Sequence, residues 1–122
     1  MNRYIRALRA PFLAGSIVPV IIGSALAFTD KTFSVPLFLI VLLGATALHL
    51  GSNLINDYYD ARGSDPINIR LTPFSGGSRV IQNEEISPTV ILLMAIGFFA
   101  IALFTGIWLT YMGRPLAMVI GL

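Results

Sequence analysis

The sequence predicts an all-α protein, a multi-pass transmembrane helix bundle with three full spans and the start of a fourth. Of its 122 residues, 56% are hydrophobic and only 11% are charged, against the roughly 25% charged typical of a soluble domain. The charges are also segregated. Arg3, Arg6 and Arg9 stand at the N-terminus, Asp30 and Lys31 form a pair, Arg114 stands alone, and the rest fall between Asp57 and Glu85. The charge-free intervals, residues 10–29, 32–56 and 86–113, each reach the ~20 residues that cross a ~30 Å hydrocarbon core.

The first span is placed at residues 12–28, behind the three arginines. Basic residues, an apolar run and Ala25-Leu26-Ala27 resemble a cleavable signal peptide, but the length of the run, Pro19 within it and the two further spans oppose that reading. Gly15, Pro19 and Gly23 recur every four residues beside Ser16 and Ser24. They predict a small-residue packing stripe with a mild proline kink. The second span covers residues 35–60 and the third 88–111, where Ser87-Pro88 supplies an N-cap and a first-turn proline. The third span carries no charge and reads as scaffold. A fourth apolar run opens at residue 116 and reaches only Leu122, so residues 1–122 are expected to be the N-terminal part of one longer transmembrane domain. The polar segment 61–87 is too long for a turn. Its Arg62, Arg70 and Arg79 join Arg3, Arg6 and Arg9 of the N-terminus on one side, against Lys31 and Arg114 on the other, which predicts a cytoplasmic N-terminus in a cell membrane.

Other classes are set aside on composition. A net charge of +2 without a basic run gives no reason to expect nucleic acid. With no cysteine there is no disulfide framework, thiolate metal site or cysteine nucleophile.

The chemically informative stretch closes the second span: His49-Leu50-Gly51-Ser52-Asn53-Leu54-Ile55-Asn56-Asp57-Tyr58-Tyr59-Asp60. At about 100° per residue, His49, Asn53, Asn56, Asp57 and Asp60 fall within an arc of about 100°, while Leu50, Leu54, Ile55 and Tyr58 point elsewhere. Such a stripe must face the bundle interior or a wet cavity. Two aspartates one turn apart repel unless a cation joins them. Oxygen-only donors suit Mg²⁺, which proteins hold with one or two carboxylates plus substrate phosphates. The stripe thus reads as half of a Mg²⁺-diphosphate site; the plain alternative is a helix ending in polar residues at headgroup level. His49 is a substrate contact or a structural hydrogen-bonder between helices. Ser75-Gly76-Gly77-Ser78-Arg79 offers backbone N–H groups, hydroxyls and a guanidinium to an anion, and equally suits a flexible linker. Arg62 and Arg70 are further candidates, or solvated arginines that set topology.

On these residues the chain resembles the UbiA superfamily of intramembrane prenyltransferases. Asn56-Asp57-Tyr58-Tyr59-Asp60 looks like its first aspartate-rich motif, N-D-x-x-D. Leu8-Arg9-Ala10-Pro11-Phe12 with Gly15-Ser16 and Pro19 is similar to its opening helix. The run from Thr72 to Gln82 looks like members that prenylate 1,4-dihydroxy-2-naphthoate in menaquinone synthesis. Ser64 stands where members often carry a third aspartate, with Asp65 next to it, and the family's second aspartate-rich motif is not found in residues 1–122.

The resemblance implies an enzyme whose partners are a polyprenyl diphosphate, an aromatic acceptor and the lipid bilayer, with Mg²⁺ as cofactor. Asp57, Asp60 and Asn56 would hold the metal. Asn53, Ser78 and His49 would contact substrate, and Arg79 with Arg62 would neutralise the leaving diphosphate. The 122 residues alone are expected to be inactive. The rival readings are another Mg²⁺-dependent membrane transferase and an ion-coupled transporter that uses the stripe as a cation path.

Overall fold

The computed structural model describes residues 2–62, 78, 80, 81 and 83–114. Among these residues four α-helices follow in order: α1 (Arg3–Leu8), α2 (Ala14–Thr29), α3 (Val35–Arg62) and α4 (Pro88–Tyr111), with a 3₁₀ turn at Ala10–Leu13 joining α1 to α2. Among the described residues there is no strand, and three segments are long and apolar enough to cross a membrane.

The first span differs from expectation at its start. Asn2 caps α1 by accepting from the Tyr4 backbone N–H at 2.8 Å. Arg9 then ends α1 in the left-handed region, φ 50°. Pro11 explains the break, because proline donates no backbone hydrogen bond and disfavours helix in the residue before it. Pro19, by contrast, sits inside α2, which runs on to Thr29. There the helix closes with Thr32 N–H on the Ala27 carbonyl (2.8 Å) and Lys31 N–H on that of Phe28 (3.1 Å), Lys31 standing at φ 60°. Gly113, at φ 80°, closes α4 by the same pair of bonds. At the start of α4, Ser87 Oγ accepts from Val90 N–H (3.3 Å) and Pro88 takes the first turn, as the sequence predicts.

The α3–α4 contact is the main interface. On α3 it runs through Gly44, Ala47, Gly51 and Leu54, and on α4 through Ile91, Ala95, Thr105 and Leu109. A Cβ added to Gly44 would lie 2.5 Å from Thr105 Oγ1, and one added to Gly51 would lie 3.1 Å from the Phe99 ring. Glycine at these positions lets two backbones approach where burying apolar surface gives no driving force. The stripe expected at Gly15, Pro19 and Gly23 is not a packing seam among the described residues. Nothing lies within 4 Å of a Cβ built on Gly15 or Gly23. Pro19 and Gly23 instead line a groove of about 380 Å³ with Leu37, Phe38 and Val41 of α3.

Gly44→Val is expected to destabilise the intact protein by about 1–3 kcal/mol, the usual cost of overpacking. Gly51→Ala should stay within about 1 kcal/mol, because the Phe99 ring can give way and alanine favours helix. Thermal unfolding in detergent checks the pair, and equal stability of Gly44→Val and wild type would contradict the seam.

A cluster of buried side chains sits at one end of this hairpin. Leu54, Ile91 and Ala95 meet Ala7 from α1 and Val80 and Ile86 from the segment before α4. The N-terminal helix and that segment therefore close over the polar end of α3.

Candidate active site

The polar stripe occupies the face of α3 roughly 180° from Gly44 at about 100° per residue, and it meets the N-terminal segment along its length. Deepest in the span, His49 Nδ1 and Ser16 Oγ lie 2.7 Å apart across α3 and α2. One turn on, Asn53 Nδ2 donates to the Leu8 carbonyl at 2.9 Å. That carbonyl stands at the α1 break, where a helix end leaves acceptors without intrahelical donors. A further turn on, Arg9 Nη2 pairs with Asp57 Oδ1 at 2.5 Å.

Asp57 is the best-enclosed polar group of the stripe, only 4% exposed. Besides Arg9 it receives Ser78 twice: the backbone N–H donates to Oδ1 at 3.3 Å, and Oγ donates to Oδ2. Both carboxylate oxygens are thus engaged by groups from two segments far away in sequence. This satisfies the requirement that a buried charge be paired and hydrogen-bonded. Asn56 and Asp60 are exposed. They leave the protein surface on the same side of the helix that buries Asp57.

The remaining predicted residues divide simply. Arg62 ends α3 as the last helical residue. Arg79, Arg70, Asp65 and the Ser75–Gly77 stretch lie outside the described residues. Ser78 is placed beside Asp57; Asn53 and His49 lie one and two turns further into the span on the same helix face with partners of their own, and Asn56 and Asp60 are exposed.

Sequence reasoning missed the partners. Arg9 and Arg6 were read as determinants of topology, yet Arg9 reaches Asp57, and Arg6 pairs with Glu85 while Arg3 donates to the Glu85 carbonyl at 3.1 Å. The hydrogen bond from Arg6 holds the Glu85 carboxyl below the usual carboxylate range; partial burial pushes the other way and the charge of Arg6 adds to the lowering. The available signal was Pro11, which ends a helix about where Arg9 stands and so turns that side chain toward α3.

The donor set can be weighed for a metal. Among the described residues no group of three or more His, Cys, Asp or Glu side chains could hold an ion. Asp57, Asp60 and Asn56 share one helix end, with both Asp57 oxygens engaged by Arg9 and Ser78. Their oxygens are too few to enclose a cation but match Mg²⁺, which completes its octahedron with phosphate oxygens and water.

An all-helical membrane chain with an N-D-x-x-D sequence at the polar end of a span defines a class of intramembrane protein, and comparison assigns the family. Residues 16–122 match the UbiA prenyltransferase family. The chain belongs to that family. It is 31% identical over 98 residues to a Bacillus subtilis protein named 1,4-dihydroxy-2-naphthoate octaprenyltransferase, covering 80% of this chain and 30% of the relative. It is 33% identical over 95 residues to the Escherichia coli protein of the same name, covering 76% and 30%. A Drosophila melanogaster UbiA prenyltransferase domain-containing protein 1 homolog is 33% identical over 63 residues, 49% of this chain and 18% of the relative. The chain thus spans about 30% of the length of the two bacterial relatives. No solved structure matches it.

Proposed function

We propose that this chain forms the donor-binding part of an enzyme that transfers a polyprenyl group from its diphosphate to 1,4-dihydroxy-2-naphthoate in menaquinone synthesis. The observation that carries the reading is the placement of Asp57, buried and in register with Asn53, Asn56 and Asp60, where an apolar span turns polar. Family membership and the names of the two bacterial relatives support the reaction class and the acceptor.

In this reading Asp57, Asp60 and Asn56 hold Mg²⁺, which, when bound, offsets the charge that grows on the diphosphate as its C–O bond breaks. Arg79 and Arg62 would neutralise the same anion from the loop. Asn53, Ser78 and His49 would position substrate. The apolar faces of α2 and α3 accommodate the isoprenoid tail and keep water from the allylic cation, so that an electron-rich aromatic carbon captures it. The distribution of arginines supports a cell-membrane protein with a cytoplasmic N-terminus.

The test is direct. The intact protein in nanodiscs is incubated with labelled polyprenyl diphosphate and the naphthoate, with Mg²⁺ or with chelator. Prenylated naphthoate is expected with Mg²⁺ only. Absence of product, or equal product with chelator, would refute the reading.

A further inference from the structure

We infer that Arg9 is a resident counter-ion of Asp57 that competes with a metal, so that the cation binds more tightly together with the diphosphate than alone. The inference rests on the prenyl-transfer reading and adds Arg9, to which that reading gives no role.

The geometry carries it in three steps. First, the guanidinium and an incoming cation compete for the same atoms. Asp57 Oδ1 is held by Arg9 at 2.5 Å and by the Ser78 N–H, and Oδ2 by Ser78 Oγ. The serine contacts are neutral, so a metal can share the carboxylate with them, whereas Arg9 opposes it by charge.

Second, the charge balance favours joint entry. Asp57 and Arg9 already neutralise each other, so a divalent cation entering alone brings positive charge that the buried carboxylate does not offset. The negative charge of a diphosphate reverses that balance, and the guanidinium released from Asp57 finds a stronger partner beside it.

Third, Arg9 can make the exchange. It stands at the break between α1 and the 3₁₀ turn with its side chain 24% exposed, so the guanidinium has room to leave Asp57 while both helical segments stay in place. Its Nε is buried with no hydrogen-bond partner among the described residues. A buried donor left this way is costly, and a phosphate oxygen would satisfy it.

Mn²⁺ serves as the probe, its free concentration read by electron paramagnetic resonance on the intact protein in nanodiscs, with and without inorganic pyrophosphate. Asp57→Asn sets the background. Wild type should bind Mn²⁺ weakly alone and about tenfold more tightly with pyrophosphate, within the 5- to 150-fold range of coupled equilibria. In Arg9→Gln, Mn²⁺ alone should bind about tenfold more tightly than in wild type, and the pyrophosphate enhancement should shrink.

Unchanged Mn²⁺ affinity in Arg9→Gln, with wild type still showing Asp57-dependent binding, overturns the role of Arg9 and leaves the metal-diphosphate reading standing. No Asp57-dependent binding in any protein, even with pyrophosphate, overturns both. Should Arg9→Gln fail to fold, Arg9→Lys carries the test. Its single ammonium lacks the guanidinium fork and competes less well, so Mn²⁺ alone should bind a few-fold more tightly than in wild type, and equal affinity overturns the proposal.

Discussion

Asp57→Ala is expected to reduce Mg²⁺-dependent prenyl transfer by at least about 10²–10³-fold, the usual loss when one preorganised electrostatic group is removed from a reacting centre. It should also weaken the fold. The carboxylate is 4% exposed and takes Arg9 and both donors of Ser78, so its removal leaves a guanidinium and a serine without their acceptor. Breaking a buried pair typically costs about 3–5 kcal/mol. Because the Arg9 side chain is 24% exposed, water recovers part of this, and the loss should lie at the lower end of that range. Product formation and thermal unfolding of the same preparation check both halves. Near-normal turnover in a folded variant would sink the metal site.

Asp60→Ala should separate chemistry from stability. Asp60 shares the helix face of Asp57 one turn on but is exposed, and an exposed carboxylate contributes only about 0–1 kcal/mol through its contacts. The variant should therefore unfold within about 1 kcal/mol of wild type while losing about 10²-fold or more in turnover. A parallel loss of stability would make Asp60 a structural residue. Unchanged turnover would remove Asp60 from the proposed metal site.

The contrast between these aspartates also shows what the sequence could and could not disclose. The charge-free runs, 32–56 and 86–113, bracket the second and third spans without fixing their ends. Helix α4 begins at Pro88 and ends at Tyr111, and α3 begins at Val35. Its end was put at Asp60 rather than Arg62 because polarity marks where lipid ends, and hydrogen bonding continues past that point. The register of His49, Asn53 and Asp57 was legible, since helical geometry alone fixes it.

Tertiary partners were not. Arg9 and Asp57 are 48 positions apart, and Ser78 reaches back 21 to the same carboxylate; no periodicity encodes such pairings. Small residues were legible as a type but not by role. Gly15 and Gly23 repeat as regularly as a packing motif should, yet the close approach is made by Gly44 and Gly51, because proximity depends on which faces the connecting segments bring together.

Functional sites commonly detract from stability, since groups poised for a ligand are held in arrangements that folding alone would not choose. Asp57 departs from that pattern. One carboxylate on α3 ties the break after α1 to the segment before α4, so three spans share an electrostatic anchor at their polar ends. In the proposed reading, selection for a folded bundle and selection for a working site act on the same side chain. Drift that relaxed either demand would be resisted by the other, and a lineage that abandoned the chemistry would still need something to replace the anchor.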